Sequence, residues 1–296
     1  MNKNLFYSLL VVLAASSYGI LSTIIKVAMQ HGFDSAEAVT SQYVVGFSLA
    51  LLLFIFTQRK LPRLSKKSLI ILLLAGIFTG TTGIVYGKSL NYLPASLAVV
   101  MLFQFTWVGM LIDCLLHRRL PKREEVISLI FLFAGTILAA GILDVDLSGI
   151  AWQGWVFGFA AAVSFSIFIQ INSRPTEEIS TIARMLIMSF FALVLISIFL
   201  SPEIVWNGQL FGAGLWKFGL LLGVFGIILP ILLFTIAVPK VGGGMASILS
   251  AMELPVAITV SVVVLHESLT WIQIMGIILV LIGMTLPTLL TRNKAI

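Results

Sequence analysis

An all-α membrane protein of ten transmembrane helices, arranged as two inverted five-helix repeats, is what the sequence predicts, and three observations predict it. Of the 296 residues, 59% are hydrophobic and 10% charged, more apolar side chain than a soluble core of this size can hide. The apolar residues fall into ten segments, each close to the roughly 20 residues that a helix needs to cross a hydrocarbon core of about 30 Å. Short motifs of the first half return in the second at a nearly constant offset.

The segments run 5–29, 36–57, 67–90, 95–116, 124–143, 150–172, 181–200, 214–237, 243–265 and 270–290. The first follows Lys3, but its apolar stretch is too long for a secretory signal and no small-residue cleavage site ends it, so it reads as a retained span. Charge, Gly, Pro or Asn marks most boundaries. QRKLPRLSKK separates the second segment from the third, HRRLPKREE the fourth from the fifth, and DVDLSG the fifth from the sixth. The Gly triplet 242–244 follows Pro239 and Lys240 and opens the ninth. These are turns, and they leave no stretch for a soluble domain.

The repeat carries the topology. AASSYGI at 14–20 resembles AAVSFSI at 161–167, and Gly76-Ile77-Phe78 is matched 147 residues on by Gly223-Val224-Phe225. Leu116-His117-x-x-Leu120 returns 149 on as Leu265-His266-x-x-Leu269, and Ser128 and Gly135 match Gly276 and Gly283, 148 on. Residues 1–146 and 147–296 therefore read as two halves of five helices. Five is odd, so the second half enters the membrane from the opposite side, the arrangement of carriers that alternate access around a midplane site.

Charge gives the orientation. Fifteen of the 18 Lys and Arg residues fall on the N-terminal side, and only Lys26, Lys88 and Lys217 lie towards the other. Under the positive-inside rule both termini are cytoplasmic, in a plasma (inner) membrane. The net charge of +6 is then topology, not a nucleic-acid surface. Cys114 is the single cysteine, and His31, His117 and His266 sit on different segments without metal-ligand spacing, so no metal or cofactor is expected. The phosphate-loop spacing of a nucleotide-driven pump is absent. A membrane enzyme would need clustered catalytic groups, and a receptor an exposed partner domain; the sequence offers neither.

Three stretches carry a resemblance: YGILSTIIKVA in the first segment, LNYLPASLAVVMLF before and in the fourth, and MELPVAITVSVVVLHESLTWIQIMGIILVLIGMTL at the end. They resemble the ten-helix, EamA-type members of the drug/metabolite transporter superfamily along nearly the whole chain. Four positions depart from that pattern. Tyr18 stands where the family usually has Trp, and Gln42 where its second helix often has Arg; Leu254 splits Glu253 from Pro255, and His266 replaces a Gly. The resemblance implies a transporter, not an enzyme, that moves a small metabolite such as an amino acid or related amine, with export favoured. A proton-coupled exporter of toxic or drug-like compounds is the alternative.

Glu253 is the outlier within its own segment, an acid at the bilayer midplane, where a charge costs at least about 2.5 kcal/mol. It shares a small or polar helical face with Ala246, Ser250, Ala257 and Val260, and that face should turn into the bundle. The offset of 149 carries it back onto Gln104, with Trp107 on the same helical face. Two readings of Glu253 stand side by side: a structural acid bonded to another helix near the Pro255 break, or a group that binds an amine or exchanges a proton. In the expected site, Glu253 and Gln104 form the polar floor of a central cavity, with Tyr18, Tyr86 and Trp107 as walls. Gln42 faces it from the second segment. Lys26 and Lys88 either reach the interface or, for Lys88, hold a substrate carboxylate. Tyr86 and Lys88 are about 200° apart on a helix, so one of them must face elsewhere.

Overall fold

The computed structural model describes residues 3–58, 60, 64–93, 95–141, 149, 151–174, 179–266 and 269–293. Among the described residues there is no strand, and ten helices follow one another. α1 comprises Lys3–Gly19 and Leu21–Gln30, interrupted at Ile20. α2 is Ser35–Thr57 and α3 is Lys66–Ser89. α4 comprises Ala95–Phe103 and Phe105–Leu116, interrupted at Gln104, and α5 is Arg123–Ala139. In the second half, α6 is Trp152–Asn172 and α7 is Thr181–Leu200. α8 runs from Trp216–Gly223 through a π turn at Val224–Ile228 to Leu229–Val241. α9 runs from Gly243–Leu249 through a 3₁₀ turn at Ser250–Met252 to Glu253–Leu265, and α10 is Trp271–Asn293.

Eight of these helices are long and apolar enough to cross a membrane, and α10 carries a shorter apolar stretch over Trp271–Pro287. The outside is coated with exposed apolar side chains, among them Phe56, Leu115, Ile130, Ile198 and Val263, a surface that suits lipid and not water. Polar residues between the segments start the helices. Ser65 and Ser180 accept the backbone N–H groups of Ser68 and Ala183, and Glu37 accepts the N–H of Asp34 at 2.9 Å. Residues 201–215 form a folded cap, not a simple turn: Ile204, Leu210 and Leu215 are buried there against Phe33, Val44, Val45 and Phe218. No sequence signal announces this cap, because its apolar residues follow no period.

Eight helices close into a ring in the order α1, α8, α2, α7, α3, α6, α4, α9 and back to α1. α5 and α10 pack along each other beside α4 and α9. Exchanging each helix with its counterpart five places on turns every neighbouring pair into a neighbouring pair and reverses the sense of the ring, as a two-fold lying in the membrane plane requires.

Reciprocal contacts between particular residues follow that two-fold. Ser128 donates to the Gly283 carbonyl, and a Cβ on Gly135 would sit 2.8 Å from the Gly276 carbonyl. Ser128 and Gly276, like Gly135 and Gly283, are the repeat-equivalent pairs, so each residue touches the counterpart of the other, the signature of a two-fold contact. The same holds between α3 and α7 and between α8 and α2. A Cβ on Gly76 would lie 3.3 Å from the Ala192 nitrogen, while one on Gly223 would lie 2.9 Å from the Gly46 nitrogen. In lipid, helices gain little from hydrophobic association, and such close backbone packing of small residues holds them together.

Candidate functional site

Three of the four helix interruptions lie at one cavity. The broken α1, the π turn of α8 and the start of the α9 segment that follows its 3₁₀ turn meet it, and α2 and α3 supply the facing wall. Breaks of this kind free backbone groups from the helical ladder, tolerated at membrane depth only where a cavity or protein meets them. One freed carbonyl, that of Phe225, accepts the Ser17 hydroxyl at 2.5 Å, tying α1 to α8. Pro255 lacks an N–H in the turn after Ser250–Met252, which loosens α9 beside Glu253. α1 and α9 approach at Gly19, where a Cβ would lie 2.5 Å from the Glu253 carbonyl. Only a glycine lets the two backbones come so near beside the acid.

The cavity, about 80 Å³, is lined by Tyr18, Gln42, Tyr86 and Glu253, all anticipated from the sequence. It is lined also by Tyr43, Thr79, Thr82 and Phe165, which sequence reasoning missed. Thr79, Thr82, Gly83 and Tyr86 follow helical spacing on α3, and that polar face was the available signal. Tyr43 donates to the Thr79 carbonyl at 2.7 Å and fixes α2 to α3. Glu253 Oε2 and the Tyr18 hydroxyl are buried and make no hydrogen bond among the described residues. Tyr18 and Phe165 meet edge to face at 5.5 Å, forming an aromatic corner. The lining residues of α1, α2, α3 and α9 run from the middle of each helix to the end away from the basic side, so the cavity occupies that half.

Four expected residues lie elsewhere. Gln104 donates to the Val100 carbonyl at 3.0 Å and accepts the Trp107 indole N–H at 2.6 Å, so both turn towards α5 and line a separate cleft with Phe133 and Thr136. Phe165 lines the cavity in their place, backed by further rings: it meets Phe105 edge to face at 4.9 Å and stacks on Phe168 at 5.9 Å, with Phe234 beside them. Lys88 Nζ sits 5.8 Å from the Phe157 ring centre, outside the cavity, which settles the rivalry with Tyr86. α3 runs unbroken through both residues, so Tyr86-Gly87-Lys88 does not interrupt it. Lys26 is half-buried on α1 and is not among the lining residues. Glu267, next to His266, lies outside the described residues, and the described ones contain no cluster of three metal-ligating side chains.

On the basic side α4, α6 and α9 are tied together. Gln170 donates to the Gly109 carbonyl at 2.8 Å, Ser247 packs on Gly109, and Gly244 of α9 packs on the Asp113 carboxylate. Asp113 and Glu125 are both buried, and Arg119 bonds each, at 2.6 and 2.7 Å. The hydrogen bond to Glu125, helped by Asp113, raises the Arg119 guanidinium above its ordinary pKa against the opposing effect of burial, so it stays charged.

Residues 5–141 and 152–289 each match the EamA-like transporter family. One solved structure, described only as a crystal structure of a protein, shares 14% identity over 97% of this chain and 99% of its own, with a TM-score of 0.74. That likeness shows the same fold. Among curated proteins none matches the chain.

Proposed function

The chain belongs to the EamA-like transporter family, and from that premise we propose that it is a secondary carrier exporting a small amine-bearing metabolite by alternating access. The observation that carries this reading is the Glu253 carboxylate: mid-helix in the membrane, on the cavity, with one oxygen buried and unpartnered. A carboxylate at that depth is costly unless something compensates it, and an ammonium group or a proton does so. The inverted halves, 1–146 and 147–296, supply the motion. The cavity lies in one half of the membrane while the other holds the rings behind Phe165 and the α4, α6 and α9 contacts. Exchanging the conformations of the two halves moves the opening to the basic side, which is the cytoplasmic side of a plasma membrane. The driving force is the substrate's own gradient or coupled protons.

The test is efflux from proteoliposomes loaded with a labelled mixture of amino acids and related amines, with and without an imposed pH gradient. Selective release is expected, and acceleration by the gradient identifies proton coupling. Absence of any selective release contradicts the reading.

A further inference from the structure

We propose that the cavity selects an organic cation that carries no carboxylate: the amine, not the amino acid from which decarboxylation would form it. The inference rests on the carrier function proposed above and narrows its substrate class.

The lining decides the sign of the charge. Among the described residues its one acid is Glu253, its other polar side chains are phenols, hydroxyls and the Gln42 amide, and no Lys, Arg or His lines it. An amino acid entering there satisfies Glu253 with its ammonium group but brings a second carboxylate into a site without a cation. An unpaired charge in such surroundings is strongly disfavoured. The nearby cations are placed elsewhere. Lys88 is over Phe157, Lys26 is outside the lining, and Arg184 is buried in the first turn of α7, at the basic end of the bundle.

The rest of the lining suits what a carboxylate-free amine offers. Tyr18 and Phe165 present perpendicular rings, and Tyr43 and Tyr86 add two more aromatic rings to the lining. Ring faces attract ammonium groups within about 6 Å and cover hydrocarbon substituents equally well. Glu253 then supplies the single full charge that an amine needs, and the aromatic residues receive its body.

Solute counterflow in proteoliposomes holding the full chain tests the inference with matched pairs: tyramine against tyrosine, and choline against glycine betaine. The carboxylate-free member of each pair should move at least tenfold faster. Equal rates, or faster movement of the zwitterion, overturn the selectivity while leaving the carrier function standing. No movement of either member in both pairs overturns both. A cation added to the lining by Gln42→Arg should raise the zwitterion-to-amine ratio at least tenfold. Gln42 packs closely on Gly226, so Thr82→Lys, at a half-buried lining position, provides the second variant. An unchanged ratio in a folded variant also overturns the proposal.

Discussion

Gln104 and Glu253 occupy equivalent places in the two repeats, and the molecule treats them in opposite ways. Both stand where their helices lose regular α geometry, at the single-residue break of α4 and just after the 3₁₀ turn of α9. Gln104 is satisfied by the Val100 carbonyl and the Trp107 indole and turns away towards α5; Glu253 keeps one oxygen unpartnered on the central cavity. The two-fold fixes where the backbone breaks, but side-chain chemistry decides which residue turns to the central cavity. A similar contrast separates Glu253 from Asp113 and Glu125. All three are acids in the interior of the bundle, yet Arg119 pairs the latter two, which fits a structural tie and not a binding group.

The sharpest way to break the comparison is to give Gln104 the chemistry of Glu253. Gln104→Glu places a carboxylate against the Val100 carbonyl at mid-membrane without a cation, and should cost about 3 kcal/mol of stability. Thermal unfolding in detergent measures it; an unchanged midpoint would mean that the α4 and α5 cleft accepts charge as readily as the cavity does.

A smaller effect belongs to the two-fold seam. At Gly276 a Cβ would meet the Ala139 backbone and lie 2.7 Å from the Gly135 carbonyl, so Gly276→Ala should destabilise by about 1–3 kcal/mol. Substrate selectivity should stay as it is, because the seam lies away from the cavity. A changed substrate ratio in counterflow would show that the seam shapes the site.

The smallest effect is expected at the end of α9. His266 adopts a left-handed conformation with φ 56, which favours glycine. His266→Gly should raise stability by about 0.5–1 kcal/mol on relief of that strain, read by the same unfolding assay. A lower midpoint would mean that the His266 side chain contributes contacts worth more than the strain.

Much of this fold was legible because its physics is one-dimensional. Apolar length gave the ten helices, and a constant offset gave the repeat that the Ser128–Gly283 and Gly135–Gly276 contacts embody. The site was legible where a residue violated the apolar environment, as Glu253, Gln42, Tyr18 and Tyr86 do. Gln104 and Trp107 misled because the offset transfers backbone position, whereas the break at Gln104 sets where its side chain turns. Tyr43, Thr79 and Thr82 escaped notice because uncharged polar residues in an apolar helix are often satisfied by nearby backbone, as the Tyr43 hydroxyl is by Thr79. The π turn of α8 does have a mark in the sequence, Pro230, which follows it and has no N–H to bond the Gly226 carbonyl, but one proline in an apolar segment does not say which geometry results.

The most direct measurement compares transport of one carboxylate-free amine by the unaltered protein and by Glu253→Gln in proteoliposomes, with unfolding midpoints recorded for both. Glu253→Gln should unfold at nearly the same temperature and lose at least ~100-fold in transport, or about 2.7 kcal/mol. Transport at the unaltered rate would contradict the account and return Glu253 to a structural role.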